Sequence, residues 1–321
     1  MTDVAVIGAG TMGHALALVF ALGGHRVRLT DADPATLARA PALMEAALAT
    51  LVEAGEVEAA WGARGIGAHV QSCATLAETV SGAELVIEAI IERADAKRTL
   101  YAQLDALLPA GAILASNTSS LDIFPLVPET RQARTLIAHW YTPPYLCDLV
   151  DLCPGPHTDP AAIETVRAMV AAMGKVPVVF KQMVQGYVAN RIQAAIAMEV
   201  FRMLDEGWVS AKDIDDSVIH GLALRMPILG VMVKADFTGL AVQQQVISNG
   251  SYTPPTNTDG SATLARLVAA GRDGVMSGQG LFDWGGRTAK ELFAERDRKM
   301  LKLKQALRTI GPIEGKTGGN S

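Results

Sequence analysis

Several features are scarce in this chain, and each scarcity excludes a class of protein. Its 321 residues contain three cysteines, Cys73, Cys147 and Cys153, too few for a disulfide framework and without a CxxC metal pattern. We therefore expect ordinary core thiols, no bound metal and a reducing, cytoplasmic location. The sequence also lacks a block of lysine or arginine and has a formal net charge of −5, which argues against nucleic-acid or polybasic membrane binding.

Long apolar runs and a basic leader are missing as well. No run approaches membrane-spanning length, and the opening residues, MTDVAVIGAG, show no basic stretch before their apolar run. We expect a protein without a signal segment or membrane contact. Because 50% of the residues are hydrophobic, the chain can form two domains with cores of their own, and disorder is excluded as the main state. The favoured partner is a small molecule.

Strand-like and helical segments alternate through the first part of the chain. Short apolar segments predict strands at 4–8, 26–30, 84–90, 112–116, 135–140, 149–153 and 176–180. Alternation with helical patterns is typical of βαβ units in a parallel sheet. We predict an α/β fold with a Rossmann-type, doubly wound sheet, in which residues 1–183 form the first domain.

The pattern changes after Gly186. Apolar residues recur at a helical period in the segment 187–207 and no strand follows, so residues 184–310 are predicted to form a second, all-α domain for substrate binding and dimerisation. Its first helix is too apolar to be solvated on all sides, and we expect it to form both a domain core and a homodimer interface. Residues 311–321 are predicted to be a disordered tail.

The clearest motif, VAVIGAGTMG, places a G-x-G-x-x-G turn between a strand and a helix. Such a turn lets the backbone approach a pyrophosphate and puts the helix amino terminus beside its charge. Asp31 ends the next strand, where its carboxylate can bind a ribose and would repel a 2′-phosphate. NAD is therefore the predicted cofactor and residues 1–183 the predicted NAD-binding domain, against the alternative of a merely tight turn. The predicted contacts in the turn are Gly8, Gly10, Thr11, Met12 and Gly13.

Oxidation of an alcohol by a nicotinamide cofactor needs a general base, and histidine has a suitable pKa. Of the six histidines, only His139 ends a predicted sheet strand in the half of the domain where ligands bind. Asp151 follows one strand later, where it can accept a hydrogen bond from the second ring nitrogen. We predict His139 as the base and Asp151 as its partner, with a structural histidine as the alternative.

Taken together, these segments resemble the 3-hydroxyacyl-CoA dehydrogenase superfamily over nearly the whole chain. The motifs VIGAGTMG, LVIEAIIERADAKRTLYAQLD, ASNTSSLDI, AHWYTPP, LVDL and GYVANRI follow one another in the family's order. The resemblance implies a His–Glu catalytic pair at the positions of His139 and Asp151. It also implies a serine at the substrate oxygen, Ser119, and an active-site asparagine, Asn190.

The same resemblance places Glu92 and Lys97 on the nicotinamide side of the cofactor and Asn117 against the cofactor. Each of these residues has a structural alternative. Asn117 and Ser119 could cap a loop, and Asn190 could cap the long helix. Glu92 and Lys97 could form a solvated helix pair.

Two positions depart from the family pattern. The acid of the catalytic pair is Asp151 instead of glutamate, so either the backbone moves inward or the contact with His139 is less direct. Thr142 replaces an asparagine of the family and removes an amide donor from the reacting centre. The role of the carboxylate survives the first change, and the second bears on the substrate more than on the reaction type.

Charge argues against a CoA ester as the substrate. Residues 34–84 contain no lysine, two arginines and six glutamates, and such a segment repels the phosphates of CoA. The second domain resembles the branch of the superfamily that acts on small free acids: gulonate 3-dehydrogenase and lambda-crystallin, carnitine dehydrogenase, and a pyridine-carboxylate dehydrogenase of vitamin B6 breakdown. That branch has an arginine at the position of Arg225, whose guanidinium can bind a carboxylate bidentately. Trp140 and Tyr141 could stack on an aromatic or quaternary ammonium group, or belong to the core.

These observations predict an NAD-dependent dehydrogenase of a small free 3-hydroxy, hydroxymethyl or aldehyde carboxylic acid. Ser119 and Asn190 would position the hydroxyl group. Arg225, Trp140 and Thr142 would contact the substrate. Two alternatives stay open: a short-chain 3-hydroxyacyl-CoA dehydrogenase, and a non-catalytic NADH-binding protein of the crystallin type.

Overall fold

The chain divides into two compact units, Met1–Val188 and Ala189–Ser321. The computed structural model describes residues 1–250, 252–256 and 260–314. The first unit contains one eight-stranded sheet with the strand order β3-β2-β1-β4-β5-β6-β7-β8. The strands are β1 (Asp3–Ile7), β2 (Arg26–Thr30), β3 (Val70–Ser72), β4 (Leu85–Glu88), β5 (Ile113–Ser116), β6 (Thr135–Trp140), β7 (Leu149–Pro154) and β8 (Val176–Val179).

Neighbouring strands run parallel except β6 and β7, which are antiparallel. A parallel crossover needs a dozen or more residues, whereas only residues 141–148 connect these two strands. This reversal was not indicated by the alternation of strands and helices in the sequence. The reversal places residues that are close in sequence directly opposite each other.

Helices connect the strands and cover the sheet. They are α1 (Gly13–Leu22), α2 (Pro34–Glu53), α3 (Ala59–Arg64), α4 (Leu76–Val80), α5 (Ala94–Leu107), α6 (Glu129–Gln132) and α7 (Pro160–Ala172). α2 begins where the Asp33 carboxylate accepts hydrogen bonds from the N–H groups of Ala35 and Thr36, and Asp159 caps α7 in the same way. The Rossmann-type sheet predicted from the sequence is confirmed.

One helix departs from the expectation that no apolar run is long enough to span a membrane. By length and composition alone α2, with 20 residues and a mean hydropathy of 1.3 in its most apolar window, could cross a membrane. Its buried residues, Ala40, Met44, Leu48 and Leu51, recur at a helical spacing. Core helices of soluble proteins pass the same test, so α2 is weak evidence for a membrane span.

α8 (Tyr187–Asp205) begins in the last two residues of the first unit and continues into the second. The remaining helices of the second unit are α9 (Ala211–Ser217), α10 (Met226–Leu229), α11 (Met232–Thr238), α12 (Leu240–Ser248), α13 (Ala262–Ala269) and α14 (Ala289–Ile310). A π-helical turn, Val218–Ala223, follows α9. The predicted helical second domain is confirmed. The predicted tail falls largely on residues 315–321, which lie outside the described residues.

Candidate active site

The glycine turn between β1 and α1 forms one wall of a cavity of about 990 Å³. Gly8 has a φ of 94°, and a Cβ there would lie 2.6 Å from the carbonyl oxygen of Ala89. A Cβ on Gly13 would lie 1.6 Å from the carbonyl oxygen of Gly8, so this glycine lets the helix approach the turn. A Cβ on Gly10 would meet no protein atom within 4 Å. Gly10 therefore leaves space on the cavity side, as a pyrophosphate-binding turn requires.

Most of the predicted cofactor contacts line this cavity, whose size suits a small-molecule site. They are Gly8, Gly10, Thr11, Met12, Asp31, Glu92 and Asn117. Ser119, the predicted substrate-oxygen residue, lines it as well. Gly13 does not, because it packs against the turn itself.

Asp31 is held at the end of β2 by two backbone groups. Its Oδ2 accepts from the N–H of Ala9 at 2.6 Å, and its Oδ1 accepts from the N–H of Asp33 at 2.8 Å. Each oxygen keeps a lone pair for a ribose hydroxyl. Among the described residues that line the cavity, none is lysine or arginine, so no side chain in this wall would neutralise a 2′-phosphate. The carboxylate thus favours NAD over NADP.

Lys97 is a buried cation, only 1% exposed. Its Nζ lies 2.7 Å from Oε1 of Glu88 and 3.3 Å from Oε2 of Glu92. The hydroxyl groups of Tyr101 and Ser116 donate to the other oxygen of Glu88. The alternative of a solvated helix pair is therefore wrong. Lys97 is not among the residues that line the cavity, and its charge faces the two carboxylates. Its contact with the cofactor stays a prediction.

Glu92 organises the loop that follows β5. Its Oε1 accepts from the Thr118 hydroxyl at 2.6 Å and from the N–H groups of Ser119 and Ser120 at 2.9 and 3.1 Å. Burial raises the pKa of Glu92, but these donors and the Lys97 ammonium outweigh it, so that its pKa lies below the usual value. Glu92 is thus an ionised group that fixes Ser119 at the cavity.

Asn117 connects this loop to the end of β6. Its Oδ1 accepts a hydrogen bond from the backbone N–H of Trp140 at 2.8 Å. Asn117 lines the cavity, and Trp140 directly follows His139 in the chain. The predicted base is therefore attached, through one hydrogen bond, to the wall of the cofactor cavity.

His139 and Asp151 are directly opposite residues in the register of β6 and β7. They are 4% and 1% exposed. The shortest distance, between Nδ1 of His139 and Oδ2 of Asp151, is 3.6 Å, too long for a direct hydrogen bond. Within the described part of the chain no other group bonds to Nδ1. For an aspartate in place of glutamate, we expected either an inward shift of the backbone or a less direct contact with His139. The structure shows the less direct contact.

Two tyrosines enclose the imidazole ring. Tyr187 stacks on His139 with 4.6 Å between ring centroids, and Tyr141 meets the ring edge-on at 4.7 Å. Tyr187 is fully buried, and its hydroxyl donates to the carbonyl oxygen of Thr118. The Tyr141 hydroxyl donates to Oδ2 of Asp151 at 2.6 Å. From the sequence, Tyr141 was expected to stack on a substrate group or to belong to the core, and Tyr187 was not singled out. The contact of Tyr141 with the pair could have been found, because a residue two positions after His139 has the spacing of a side chain on the same face of the strand.

Trp140 and Thr142, two predicted substrate contacts, lie in different surroundings. The contact of Thr142 with a substrate stays a prediction, whereas Trp140 does not face a substrate site. Trp140 is 2% exposed and packs edge-on against Phe20 of α1, because successive residues of a strand point to opposite faces of the sheet. Its side chain belongs to the core, which was the alternative reading of this residue. Thr142 is exposed, and its hydroxyl donates to Sδ of Met12 at 3.0 Å, which places it at the glycine turn.

Asn190 and Arg225 belong to the second unit. Asn190 lies half-buried in the first turn of α8, and the exposed Arg225 precedes α10 and donates from Nε to the carbonyl oxygen of Gly221. Their contacts with a substrate stay predictions.

Models of two protein domains match almost the whole chain. Residues 3–183 match the NAD-binding domain of 3-hydroxyacyl-CoA dehydrogenase. Residues 186–284 match the C-terminal domain of the same enzymes. A solved structure of a 5-formyl-3-hydroxy-2-methylpyridine 4-carboxylic acid 5-dehydrogenase, an NAD⁺-dependent dismutase, is similar with a TM-score of 0.86 and 30% identity over 96% of this chain and 99% of that chain.

Individual proteins are similar to this chain over 71% to 95% of its length. A 5-formyl-3-hydroxy-2-methylpyridine 4-carboxylate 5-dehydrogenase of Mesorhizobium japonicum is 30% identical over 95% of this chain and 98% of its own. An L-carnitine dehydrogenase of Streptomyces griseus is 31% identical over 94% of this chain and 89% of its own. Lambda-crystallin of Oryctolagus cuniculus is 33% identical over 71% and 72%, respectively. With both domains matched and a glycine turn suited to NAD, the chain belongs to the 3-hydroxyacyl-CoA dehydrogenase family, as an NAD-dependent oxidoreductase that acts on CH–OH groups.

Proposed function

We propose that this protein oxidises a small free carboxylic acid that carries a hydroxyl, hydroxymethyl or aldehyde group, with His139 as the general base. The observation that supports this most is the buried pairing of His139 with Asp151, one residue from the strand end that Asn117 ties to the cofactor cavity. A buried imidazole beside a carboxylate is a suitable acceptor for a hydroxyl proton.

The chemistry divides between the cofactor and the chain. NAD, when bound, supplies the acceptor for the hydride that leaves the substrate carbon. In this proposal the neutral ring of His139 carries its proton on Nδ1, takes the hydroxyl proton on Nε2 and so becomes an imidazolium. Asp151, which faces Nδ1, stabilises that positive charge. Ser119, at the cavity wall, holds the substrate oxygen in this proposal, together with Asn190.

Two observations favour a free acid over a CoA ester. The segment 34–84, which contains α2, α3 and α4, has six glutamates and no lysine, and it would repel the CoA phosphates. The relatives that match over nearly the full chain include enzymes for a pyridine carboxylate and for carnitine. We assign Arg225 to the carboxylate of the substrate, because a guanidinium binds a carboxylate with two parallel hydrogen bonds.

We also propose that the protein is a homodimer through the helix of residues 187–207. On α8, Ile192 and Met198 are exposed, and so are Phe237, Leu240 and Ile247 of the following helices. Exposed apolar side chains on several helices of one unit favour a surface that another molecule covers. Light scattering should show a dimer at micromolar concentration, and Ile192→Glu should shift it toward monomer; a monomeric native protein would contradict the proposal.

The function is tested by following NADH formation with a panel of substrates. The panel contains L-carnitine, 3-hydroxybutyrate, a pyridine carboxylate with a hydroxymethyl or formyl group, and 3-hydroxybutyryl-CoA. Saturable turnover of a free acid supports the proposal. Turnover of the CoA ester alone would overturn the substrate class, and NADH binding without turnover of any compound would favour a non-catalytic role like that of a crystallin.

A further inference from the structure

Oδ2 of Asp151 accepts one hydrogen bond from the described residues, and its donor is the hydroxyl of Tyr141 at 2.6 Å. The same oxygen is the atom nearest to Nδ1 of His139, at 3.6 Å. The carboxylate is 1% exposed, so water gives it little stabilisation. One oxygen of one buried carboxylate therefore faces both the base and a tyrosine hydroxyl.

A buried carboxylate needs a donor to remain ionised. In the resting state His139 is no such donor, because 3.6 Å is beyond hydrogen-bonding distance. The Tyr141 hydroxyl stays a donor, since burial and the hydrogen bond to Asp151 raise its pKa. Tyr141 thus stabilises the charge of Asp151 before the substrate proton has been transferred.

We propose that Tyr141 is a positioning residue of the catalytic centre: its hydroxyl holds the short Asp151 side chain ionised and oriented toward His139, so that His139, Asp151 and Tyr141 act as a triad. The inference rests on the proposed function of His139 as the base. It assigns to Tyr141 the task of compensating for an aspartate that does not reach the imidazole.

The triad has a consequence for pH. Removing a donor from an anion raises the proton affinity of the coupled His139–Asp151 pair, whichever of the two groups takes the proton. In Tyr141→Phe the pair should therefore be protonated at higher pH. Since the base works only when it is unprotonated, the acid limb of the profile of kcat/KM against pH should also move to higher pH.

Other titratable groups around the pair remain the same in this variant. Burial raises the pKa of Tyr187 on α8, and burial raises the pKa of Cys153 on β7 to about 12, so both are neutral near pH 7. Asp122 and Glu92 lie in the loops after β5 and β4, and Asp148 and Lys175 pair with each other beside the β6–β7 loop. These four charges are common to the native protein and to Tyr141→Phe.

The first experiment compares native protein, Tyr141→Phe and a matched control, Tyr252→Phe, which removes a hydroxyl–carboxylate hydrogen bond to Glu199 on the surface of the second unit. We expect Tyr141→Phe to lower kcat about tenfold or more, as loss of a hydrogen bond to a charged group does. The KM for NAD should change little. The acid limb should move by roughly half a pH unit or more, and Tyr252→Phe should behave as native. An unmoved acid limb would overturn the proposal.

The second experiment repeats Tyr141→Phe in two other backgrounds. In Asp151→Glu the longer side chain can reach His139 directly, so adding Tyr141→Phe should lower kcat by less than about threefold. In Asp151→Asn the charge is gone, so Tyr141→Phe should leave the titration of His139 unmoved. Equal effects of Tyr141→Phe in all three backgrounds would show a packing role only.

A readout without substrate separates this inference from the proposed function. The ring protons of His139, assigned by their loss in His139→Asn, can be titrated by NMR in native protein and in Tyr141→Phe. A higher His139 pKa in the variant supports the triad even if no substrate has been found. Turnover that needs His139 but is unaffected by Tyr141→Phe would leave the proposed function standing and remove the triad.

Discussion

His139 and Asp151 are opposite residues of the only strand pair in the described sheet that runs antiparallel. In a parallel pair, a carboxylate twelve residues after the histidine would not lie beside it, because the connection itself needs about that length. The reversal at residues 141–148 therefore creates the pairing. It also brings the hydroxyl of Tyr141, at the start of that connection, within 2.6 Å of the same carboxylate.

Replacement of His139 tests the base directly. We expect His139→Asn to lower turnover by roughly 10²- to 10⁴-fold, the usual contribution of a general base. NADH affinity should stay nearly native, because His139 is not among the residues that line the cofactor cavity. His157→Asn, at an exposed position, is the matched control. Near-native turnover in His139→Asn would remove this histidine from the mechanism.

The glycines of the turn should separate folding from binding. Gly13→Ala would drive a Cβ to 1.6 Å from the Gly8 carbonyl oxygen, and we expect it to lower the free energy of unfolding by about 3 kcal/mol or more. Gly10→Ala meets no protein atom within 4 Å and should change stability by less than about 1 kcal/mol. It should weaken NADH binding at least tenfold, about 1.4 kcal/mol.

Thermal unfolding and NADH fluorescence titration measure the two effects. A Gly10→Ala protein that binds NADH as tightly as native protein would mean that the cofactor does not approach this backbone. Equal stability of the two variants would contradict the packing of Gly13.

Strands and helices could be predicted from the sequence where their apolar side chains form a clear pattern. The bounds of β2 and β6 were predicted to the residue, because their apolar runs are flanked by turn residues. β3 was missed, since Val70 is the single buried residue of its three. The direction of β7 was missed too, because an apolar run shows that a strand is buried and says nothing of its sense.

Prediction of the site from the sequence was limited in a different way, by contacts that form only in the folded protein. The glycine turn, Asp31 and the His139–Asp151 pair follow from local motifs, so the sequence could indicate them. The burial of Lys97 could not be predicted, because it depends on Glu88 and Glu92, two carboxylates that are brought together only by the fold. A lysine on a helix normally predicts solvent exposure.

The ionised state of Glu92 should make the loop after β5 sensitive to acid. Its pKa in the folded protein is below the usual value near 4.5, so the stability that it contributes is present above that value and is lost as pH falls through the lower, folded pKa. Stability measured between pH 7 and acid pH should therefore fall less steeply in Glu92→Gln than in native protein. Equal slopes of the free energy of unfolding against pH in native protein and in Glu92→Gln would contradict this contribution.

Asp31 should decide between the two nicotinamide cofactors. We expect Asp31→Asn to weaken NADH binding about tenfold, as the loss of a charged hydrogen-bond acceptor does, and to improve binding of NADPH relative to NADH, because the charge that repels a 2′-phosphate is removed. Asp33→Asn is the control, since Asn caps a helix as well as Asp does and Asp33 does not line the cavity. An unchanged ratio of the two affinities in Asp31→Asn would contradict the ribose assignment.

Arg225 provides the sharpest test of the substrate class. If its guanidinium binds the carboxylate of a free acid, Arg225→Ala should raise the KM for that acid by roughly 10- to 100-fold, the loss expected for a charge-assisted bond. Arg225→Lys should recover part of this, because an ammonium keeps the charge and loses the two parallel bonds. Arg298→Ala, at an exposed position on α14, controls for the loss of one positive charge. Because Arg225 does not line the cofactor cavity, the KM for NAD should remain native, and a change in that KM of the same size would place Arg225 in the fold rather than at the substrate.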